Sequence, residues 1–339
     1  MSGTTIQLRR TLGPGSGPLV LAIGNFDGVH AGHHAILASC LDVAIRQDLT
    51  PAVMTFEPLP RELFARLKND PALAPPRLMS MTEKLAAFHN AGIRRAYVPC
   101  FNRAFAAQSP EDFIASLVKM DVRRLLVGED FRFGSRRAGD VAMLAAAGEL
   151  HGFTVETMPD IFSGGQKISS TAIRNALCEG RLPDATKMLG TPYRIVGRVT
   201  HGKKLGRTLG FPTANISLGP ASRRQKPAVN GVFAVKCRLV TRGLEGVASK
   251  VGVILNGVAN LGTNPVVSSE NRHHLEVFLF DYPNENSGDL YGQRLEVAFI
   301  EKVRDEQKFS SLDVLVTQMH DDVLKAKNIL RMNDDGSKG

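Results

Sequence analysis

The sequence predicts a two-part chain, a Rossmann-like α/β domain followed by a small antiparallel β-barrel domain with a C-terminal helix. Three observations carry that expectation. Up to about residue 187, short apolar runs alternate with helical patterns, the rhythm of parallel strands joined by crossover helices. After Thr191 the strand-like runs are separated by Gly, Pro and Asn with no long helical pattern between them, the spacing of a small barrel. From Ser311 a helical pattern returns and runs to Met332. At 339 residues the chain is also long for one domain. The expected division is 1–187, 188–332 and a polar, disordered tail at 333–339, with a hinge near Gly190-Thr191-Pro192.

In the first part, strands are expected at 18–23, 51–56, 95–99, 123–127 and 153–158. Helices are expected near 32–47, 81–91, 110–119 and 139–151. Ser109-Pro110-Glu111-Asp112 reads as a helix start, with a capping hydroxyl, proline in the first turn and acids on the positive dipole end. In the second part, strand-like runs fall at 193–200, 231–240, 251–255, 274–280 and 294–301. The last helix is expected to align Leu312, Leu315, Val316, Met319, Val323 and Leu324 on one face.

Composition narrows the classes. Apolar residues make up 43% of the chain, enough for packed cores. The four cysteines, Cys40, Cys100, Cys178 and Cys237, are far apart and form no Cys-x-x-Cys, which argues against a disulfide framework or zinc ribbon and for a reducing cytoplasm. No apolar run approaches the roughly 20 residues of a membrane helix, and no signal-peptide layout opens the chain. The net charge is +9 and unevenly placed: Ala185 to Leu244 holds twelve Lys or Arg and no Asp or Glu. Such a segment attracts phosphate. It lacks the zinc-finger or RNP-type pattern of a nucleic-acid binder. Glycines and Thr213 interleaved with the charges fit a polyphosphate nucleotide better.

The first chemical motif is Gly24-Asn25-Phe26-Asp27-Gly28-Val29-His30-Ala31-Gly32-His33, directly after the apolar run Leu19–Ile23. A buried strand, a glycine turn and a helix start are an anion site: glycines admit the backbone to a phosphate, and the helix N-terminus offers N–H groups and a positive dipole end. His30 and His33 add N–H donors. With no Walker lysine, the pattern points to adenylyl transfer rather than P-loop hydrolysis. Zinc is the weaker reading, because no Cys or carboxylate cluster completes a tetrahedral set. A second motif, Ile168-Ser169-Ser170-Thr171-Ala172-Ile173-Arg174, starts a helix that Gly180 can end; its hydroxyls and Arg174 are a second clamp for a triphosphate. A third, Gly128-Glu129-Asp130-Phe131-Arg132-Phe133-Gly134, sets two aromatics beside an acid and an arginine, suited to a planar ring and a phosphate.

In the second part, the basic glycine loop with Gly202, Lys203 and Gly206 leads into Gly210-Phe211-Pro212-Thr213-Ala214-Asn215. Backbone N–H groups there can cradle phosphates. Thr213 and Asn215 are oxygen ligands suited to Mg²⁺. Glu276, in the alternating run Leu275-Glu276-Val277-Phe278-Leu279, can turn toward the barrel rim as a general base.

These motifs together resemble the bacterial bifunctional riboflavin kinase/FAD synthetase family, over about residues 18–325. The histidine turn, Thr55-Phe56-Glu57-Pro58, the Gly-Glu-Asp-Phe-Arg-Phe-Gly loop and the Ser-Ser-Thr helix start match its nucleotidylyltransferase module. Gly-Phe-Pro-Thr-Ala-Asn, Asn230-Gly231-Val232-Phe233, Leu290-Tyr291-Gly292 and Val303-Arg304-Asp305-Glu306 match its kinase module. The resemblance implies phosphorylation of riboflavin to FMN and adenylylation of FMN to FAD, with ATP and Mg²⁺. By motif, Asn25, His30, His33, Ser170, Thr171 and Arg174 hold ATP phosphates in the adenylylation site. Phe56, Asp130, Phe131 and Phe133 mark the flavin, with Asp130 standing where the family often has Asn. Thr213 and Asn215 carry Mg–ATP in the kinase, and Glu276 acts on the ribityl 5′-hydroxyl. The chain departs at Asn260-Leu261-Gly262-Thr263-Asn264-Pro265-Val266, where bacterial members usually read Asn-Ile-Gly-x-Arg-Pro-Thr. Two other functions compete with this one: another nucleotidylyltransferase, which leaves the second part unexplained, and a nucleic-acid-binding regulator. The expected partners are the small molecules riboflavin, FMN and ATP, without membrane or nucleic acid; the sequence leaves oligomerisation open.

Overall fold

The computed structural model describes residues 6–13, 17–202, 210–218, 226–242, 248–263, 273–280 and 290–335. The chain forms two compact units, Met1–Pro75 with Ser80–Ser169, and Pro76–Met79 with Ser170–Gly339. Lys203, Gly206, Asn264 and Val266 lie outside the described residues.

The first unit holds β1 (Gln7–Arg9), β2 (Leu19–Ile23), β3 (Thr50–Met54), β4 (Arg95–Tyr97), β5 (Val122–Gly128) and β6 (Thr154–Met158). They form one sheet in the order β1-β4-β3-β2-β5-β6, and every neighbouring pair is parallel. Its helices are α1 (Ala31–Gln47), α2 (Pro60–Leu67), α3 (Met81–Asn90), α4 (Arg103–Ala106), α5 (Pro110–Lys119) and α6 (Val141–His151). A hairpin of β7 (Phe162–Ser163) and β8 (Gln166–Lys167) follows. Every residue of β2 is buried, as expected for a central strand covered on both faces. β1 escapes a sequence reading because its three residues are exposed and carry no periodic pattern. Ser109 caps α5 as its sequence predicts, its hydroxyl accepting from the Asp112 N–H at 3.1 Å. Chain order runs outward from β2 through β3 to β4, then resumes on the other side of β2 with β5. That reversal is a topological switch point, and ligands bind there beyond the carboxyl ends of the strands.

The second unit opens with α7 (Ser170–Cys178) and α8 (Leu182–Leu189). Gly180, at φ +75°, ends α7. Six strands follow: β9 (Arg194–Thr200), β10 (Thr213–Ser217), β11 (Gly231–Arg242), β12 (Ala248–Thr263), β13 (His273–Leu279) and β14 (Arg294–Arg304). They close into a barrel, β10-β13-β12-β11-β14-β9, with antiparallel pairing throughout. Phe233, Val235, Ala259, Leu261, Leu275, Val277, Val297 and Phe299 fill its interior, none more than 1% exposed. α8 packs on β14, so the two helices belong with the barrel in this unit.

The last helix, α9 (Leu312–Asp335), continues past Met332, so Asn333–Asp335 are helical rather than part of a tail. Ala326 and Leu330 are buried, with Val323 and Ile329 partly buried, in a cluster with Ala234, Phe278 and Phe280. Of the expected stripe, Leu315, Val316, Met319 and Val323 are partly buried, while Leu312 and Leu324 are 57% and 62% exposed. Asp322 is 4% exposed and accepts from Arg304 Nε at 2.9 Å and Nη2 at 2.7 Å. Breaking a buried pair leaves an uncompensated charge, so Asp322→Ala should cost about 3–5 kcal/mol in urea unfolding.

Candidate active sites

The turn between β2 and α1 carries the first site. Gly24 donates its N–H to Met54 O at 3.1 Å, so the turn starts from the end of β3 as well as β2. Phe26 (φ +47°), Gly28 (φ +98°) and Val29 (φ +38°) adopt left-handed backbone, an uncommon state for Phe and above all for a β-branched Val. The turn is therefore held from outside. Two donors converge on the Asn25 carbonyl, Thr55 Oγ1 at 2.9 Å and Lys84 Nζ at 2.8 Å. The Phe26 ring is fully buried below the turn, 5.2 Å from Phe88 and 5.1 Å from His33. Asp27 is buried as well, at 1% exposure.

His30 stands at the N-cap of α1 and His33 in its first turn. Their rings stack 3.7 Å apart, and a Cβ on Gly32 would come within 3.3 Å of the His30 ring, so glycine leaves them room. His33 keeps one edge partly exposed, while its Nδ1 is buried with no hydrogen-bond partner among the described residues. Burial, then the neighbouring His30, Lys84 and His34, hold His33 well below the usual histidine range. Near neutral pH it is therefore uncharged. No side-chain cap closes the first turn of α1 among the described residues, which suits an anion.

The loop after β5 shares the carboxyl edge of the sheet with this turn. Asp130 is exposed there, and Phe131 N–H closes a tight turn onto Gly128 O at 3.1 Å. Phe133 is mostly core: its ring is 6% exposed, 5.2 Å from Phe113, and lies where a Gly139 side chain would otherwise stand. Phe131 stacks on it at 5.9 Å and stays partly exposed. Phe56 is buried against Phe101 at 5.5 Å and Phe105 at 5.8 Å. Those two rings, and Lys84, are parts of this region that sequence reasoning missed. Phe101 and Phe105 carried a signal in their aromatic spacing, but Lys84 reads as an ordinary surface residue of an amphipathic helix.

Ser170, Thr171 and Arg174 belong to the second unit, on the first turns of α7. Thr171 is exposed; Arg174 is partly buried and donates from Nε to Pro76 O at 2.7 Å.

In the barrel, the run Thr213-Ala214-Asn215, read from sequence as following a phosphate loop, is strand β10. Register places Asn215 opposite Glu276 on one side and opposite Thr200 on the other, while Glu276 also faces Asn260 of β12. Directly paired residues point the same way. Leu275 and Val277 point inward, so Glu276 points out of the barrel, and with it a polar row Thr200–Asn215–Glu276–Asn260 crosses four adjacent strands. Thr213 lies two residues from Asn215 on the same face. Alternation thus sets Glu276 on the face away from the core. Gly202 approaches the Asn215 side chain so closely that any Cβ would overlap the amide. Gly210 (φ +84°) turns the chain into β10. His201 stacks on Tyr291 with ring centroids 3.9 Å apart, and the Asn230 amide, assigned with its nitrogen toward them, donates to Leu261 O at 2.7 Å and Glu306 Oε2 at 3.3 Å. Each of these contacts joins motifs distant in sequence.

A switch-point sheet with a histidine–glycine anion turn, and a barrel with a polar row that includes a carboxylate, define a two-module nucleotide-using transferase. Two family models cover these modules, FAD synthetase over residues 15–172 and riboflavin kinase over residues 189–330. The bifunctional riboflavin kinase/FMN adenylyltransferase of Haemophilus influenzae is 45% identical over 309 residues, covering 91% of this chain and 92% of the relative. That of Escherichia coli K12 is 44% identical over 312 residues, covering 91% of each. A solved structure described as a macrolide-efflux protein from Streptococcus pneumoniae superposes with a TM-score of 0.74 at 26% identity, over 94% of this chain and 97% of that one. The chain belongs to the bifunctional riboflavin kinase/FMN adenylyltransferase family. Among its described residues, no helix is long and apolar enough to cross a membrane.

Proposed function

We propose that the chain phosphorylates riboflavin to FMN on its barrel and adenylylates FMN to FAD on its sheet, with ATP as co-substrate of both. The observation that carries the reading is the pairing of a histidine-lined anion turn at a switch point with an outward carboxylate beside Thr213 and Asn215 on a separate barrel.

On the barrel, Glu276 takes the proton of the ribityl 5′-hydroxyl as its oxygen attacks the γ-phosphorus and ADP leaves. Asn215, directly opposite Glu276 in register, orients the phosphate end. Thr213 and Asn215 offer hard oxygens on one strand face, a donor set that fits Mg²⁺ completed by phosphate oxygens. Bound there, Mg²⁺ would neutralise charge on the β- and γ-phosphates. Gly202→Ala drives a methyl into the Asn215 amide and should lower riboflavin phosphorylation at least about tenfold, with FMN adenylylation unchanged, as read by chromatography of FMN and FAD.

On the sheet, a phosphate oxygen of FMN attacks the α-phosphorus of ATP in line, and pyrophosphate leaves. No covalent intermediate is needed; positioned donors stabilise the oxygens. His30, His33 and the backbone from Gly24 to Gly32 provide them. Asn25, Ser170, Thr171 and Arg174 are assigned to ATP phosphates by motif, and Phe56, Asp130, Phe131 and Phe133 to the flavin. With Phe133 largely in the core, Phe131 offers the accessible ring face of that pair.

All four cysteines are free thiols, which suits the cytoplasm as the site of action. The direct test is incubation with riboflavin, ATP and Mg²⁺. FMN should appear first and FAD after it; a preparation that binds duplex or single-stranded nucleic acid tightly but makes neither would favour a regulator instead.

A further inference from the structure

We infer that Lys84 is a positioning residue of the adenylyl-transfer site, pinning the opening of the phosphate turn through the Asn25 carbonyl and setting the electrostatics of His33. This rests on the reading of the Gly24–His33 turn as the ATP site.

Lysine is among the residues least often fully buried. Lys84 nevertheless has no exposed surface, on a helix whose other residues apart from Phe88 are at most partly covered. Its Nζ reaches from α3 to the Asn25 carbonyl at 2.8 Å, where Thr55 Oγ1 also donates at 2.9 Å. One turn further along α3, Phe88 is equally buried and supports Phe26, the ring on which His33 leans. Lys84 and Phe88 are i and i+4, so one helix face grips the turn at both its backbone and its first side chain. That grip answers the left-handed backbone at Phe26 and Val29, which survives only where surroundings over-determine it.

The ammonium acts a second time through charge. His33 faces His30, Lys84 and His34, and each opposes its protonation along with burial. A neutral His33 keeps the same donor pattern as pH falls, and a buried cation near the turn favours a polyphosphate. Removing the cation removes a repulsion, so the His33 pKa should rise.

Three full-length variants test this. Lys84→Met removes hydrogen bond and charge, Lys84→Gln keeps an N–H donor without charge, and His33→Ala removes the ligand-facing group itself. Each is assayed for FMN-to-FAD and riboflavin-to-FMN conversion, and His33 is titrated by NMR in the wild type and both Lys84 variants. Lys84→Met should lower kcat for FAD formation about 10²-fold, the scale of a misplaced reacting group. FMN formation should stay at the wild-type rate, and the His33 pKa and the acid limb of the FAD-forming rate should both move upward. Lys84→Gln should move the pKa in the same sense with a smaller loss of rate.

Wild-type FAD formation by Lys84→Met, alongside a dead His33→Ala, overturns the inference and leaves the site reading standing. A lower rate with an unmoved His33 titration also overturns it, because a merely structural lysine would give that result. Should Lys84→Met lose both activities, Lys84→Gln decides: a raised His33 pKa with slower FAD formation supports the inference, and an unchanged enzyme overturns it. If His33→Ala forms FAD normally, the reading of the turn itself is what fails.

Discussion

Glu276→Gln should reduce riboflavin phosphorylation by roughly 10²–10⁴-fold, the usual contribution of a general base, while FMN adenylylation continues unchanged. The substitution keeps the shape and hydrogen-bonding reach of the side chain and removes only its capacity to take a proton. Glu276 sits in a strand whose neighbours Leu275 and Val277 are buried in the barrel, and the outward position it occupies tolerates an amide. Its register partners Asn215 and Asn260 are polar amides and remain compatible with Gln. A stable variant that phosphorylates riboflavin at nearly the wild-type rate would remove Glu276 from the reaction. A drop in kcat with KM for riboflavin little changed is the expected pattern, because a base acts in the transition state.

The second large effect belongs to the histidine pair. His30→Ala with His33→Ala should abolish FAD formation and spare FMN formation. Removing a single preorganised donor to a developing oxyanion costs about 10²–10³ in rate, and this variant removes two from one turn. The rings stack at 3.7 Å over Gly32, so each also fixes the other's orientation, and single variants should already be severe. Non-additivity is expected: His30→Ala frees His33 to rotate, so much of the loss should appear in the first substitution. Loss of both activities with the fold intact, judged by an unchanged unfolding transition, would contradict separate sites.

Much of this was legible in the sequence, for identifiable reasons. β2 reads clearly because it is an unbroken apolar run, and the turn after it because glycine and histidine are costly to place there by chance. The barrel strands read from alternation, and Leu275, Val277 and Leu279 inside with Glu276 outside is alternation made visible. What escaped depends on partners far away in the chain. β10 looks like loop chemistry because Pro212, Ala214 and Asn215 are poor strand formers, and only pairing with β9 and β13 makes it a strand. Lys84 looks like solvent-facing charge until the Asn25 carbonyl is brought to it across the sheet. Apolar spacing also gave no hint that Asp322 of α9 would be buried on Arg304. Among the proposed site residues, Phe133 shows the same limit: an aromatic beside glycines signals either a ligand platform or a core ring, and Gly139 and Phe113 make it largely the latter.

The claim at the centre of this account is that two nucleotide sites work independently in one polypeptide. Mixing purified Glu276→Gln with the His30→Ala/His33→Ala variant, then supplying riboflavin, ATP and Mg²⁺, tests it in one reaction. Neither variant alone should carry riboflavin to FAD. Together they should, since the histidine variant releases FMN and the glutamine variant adenylylates it. A mixture as inactive as its components, although each variant retains its own single activity, would contradict that independence.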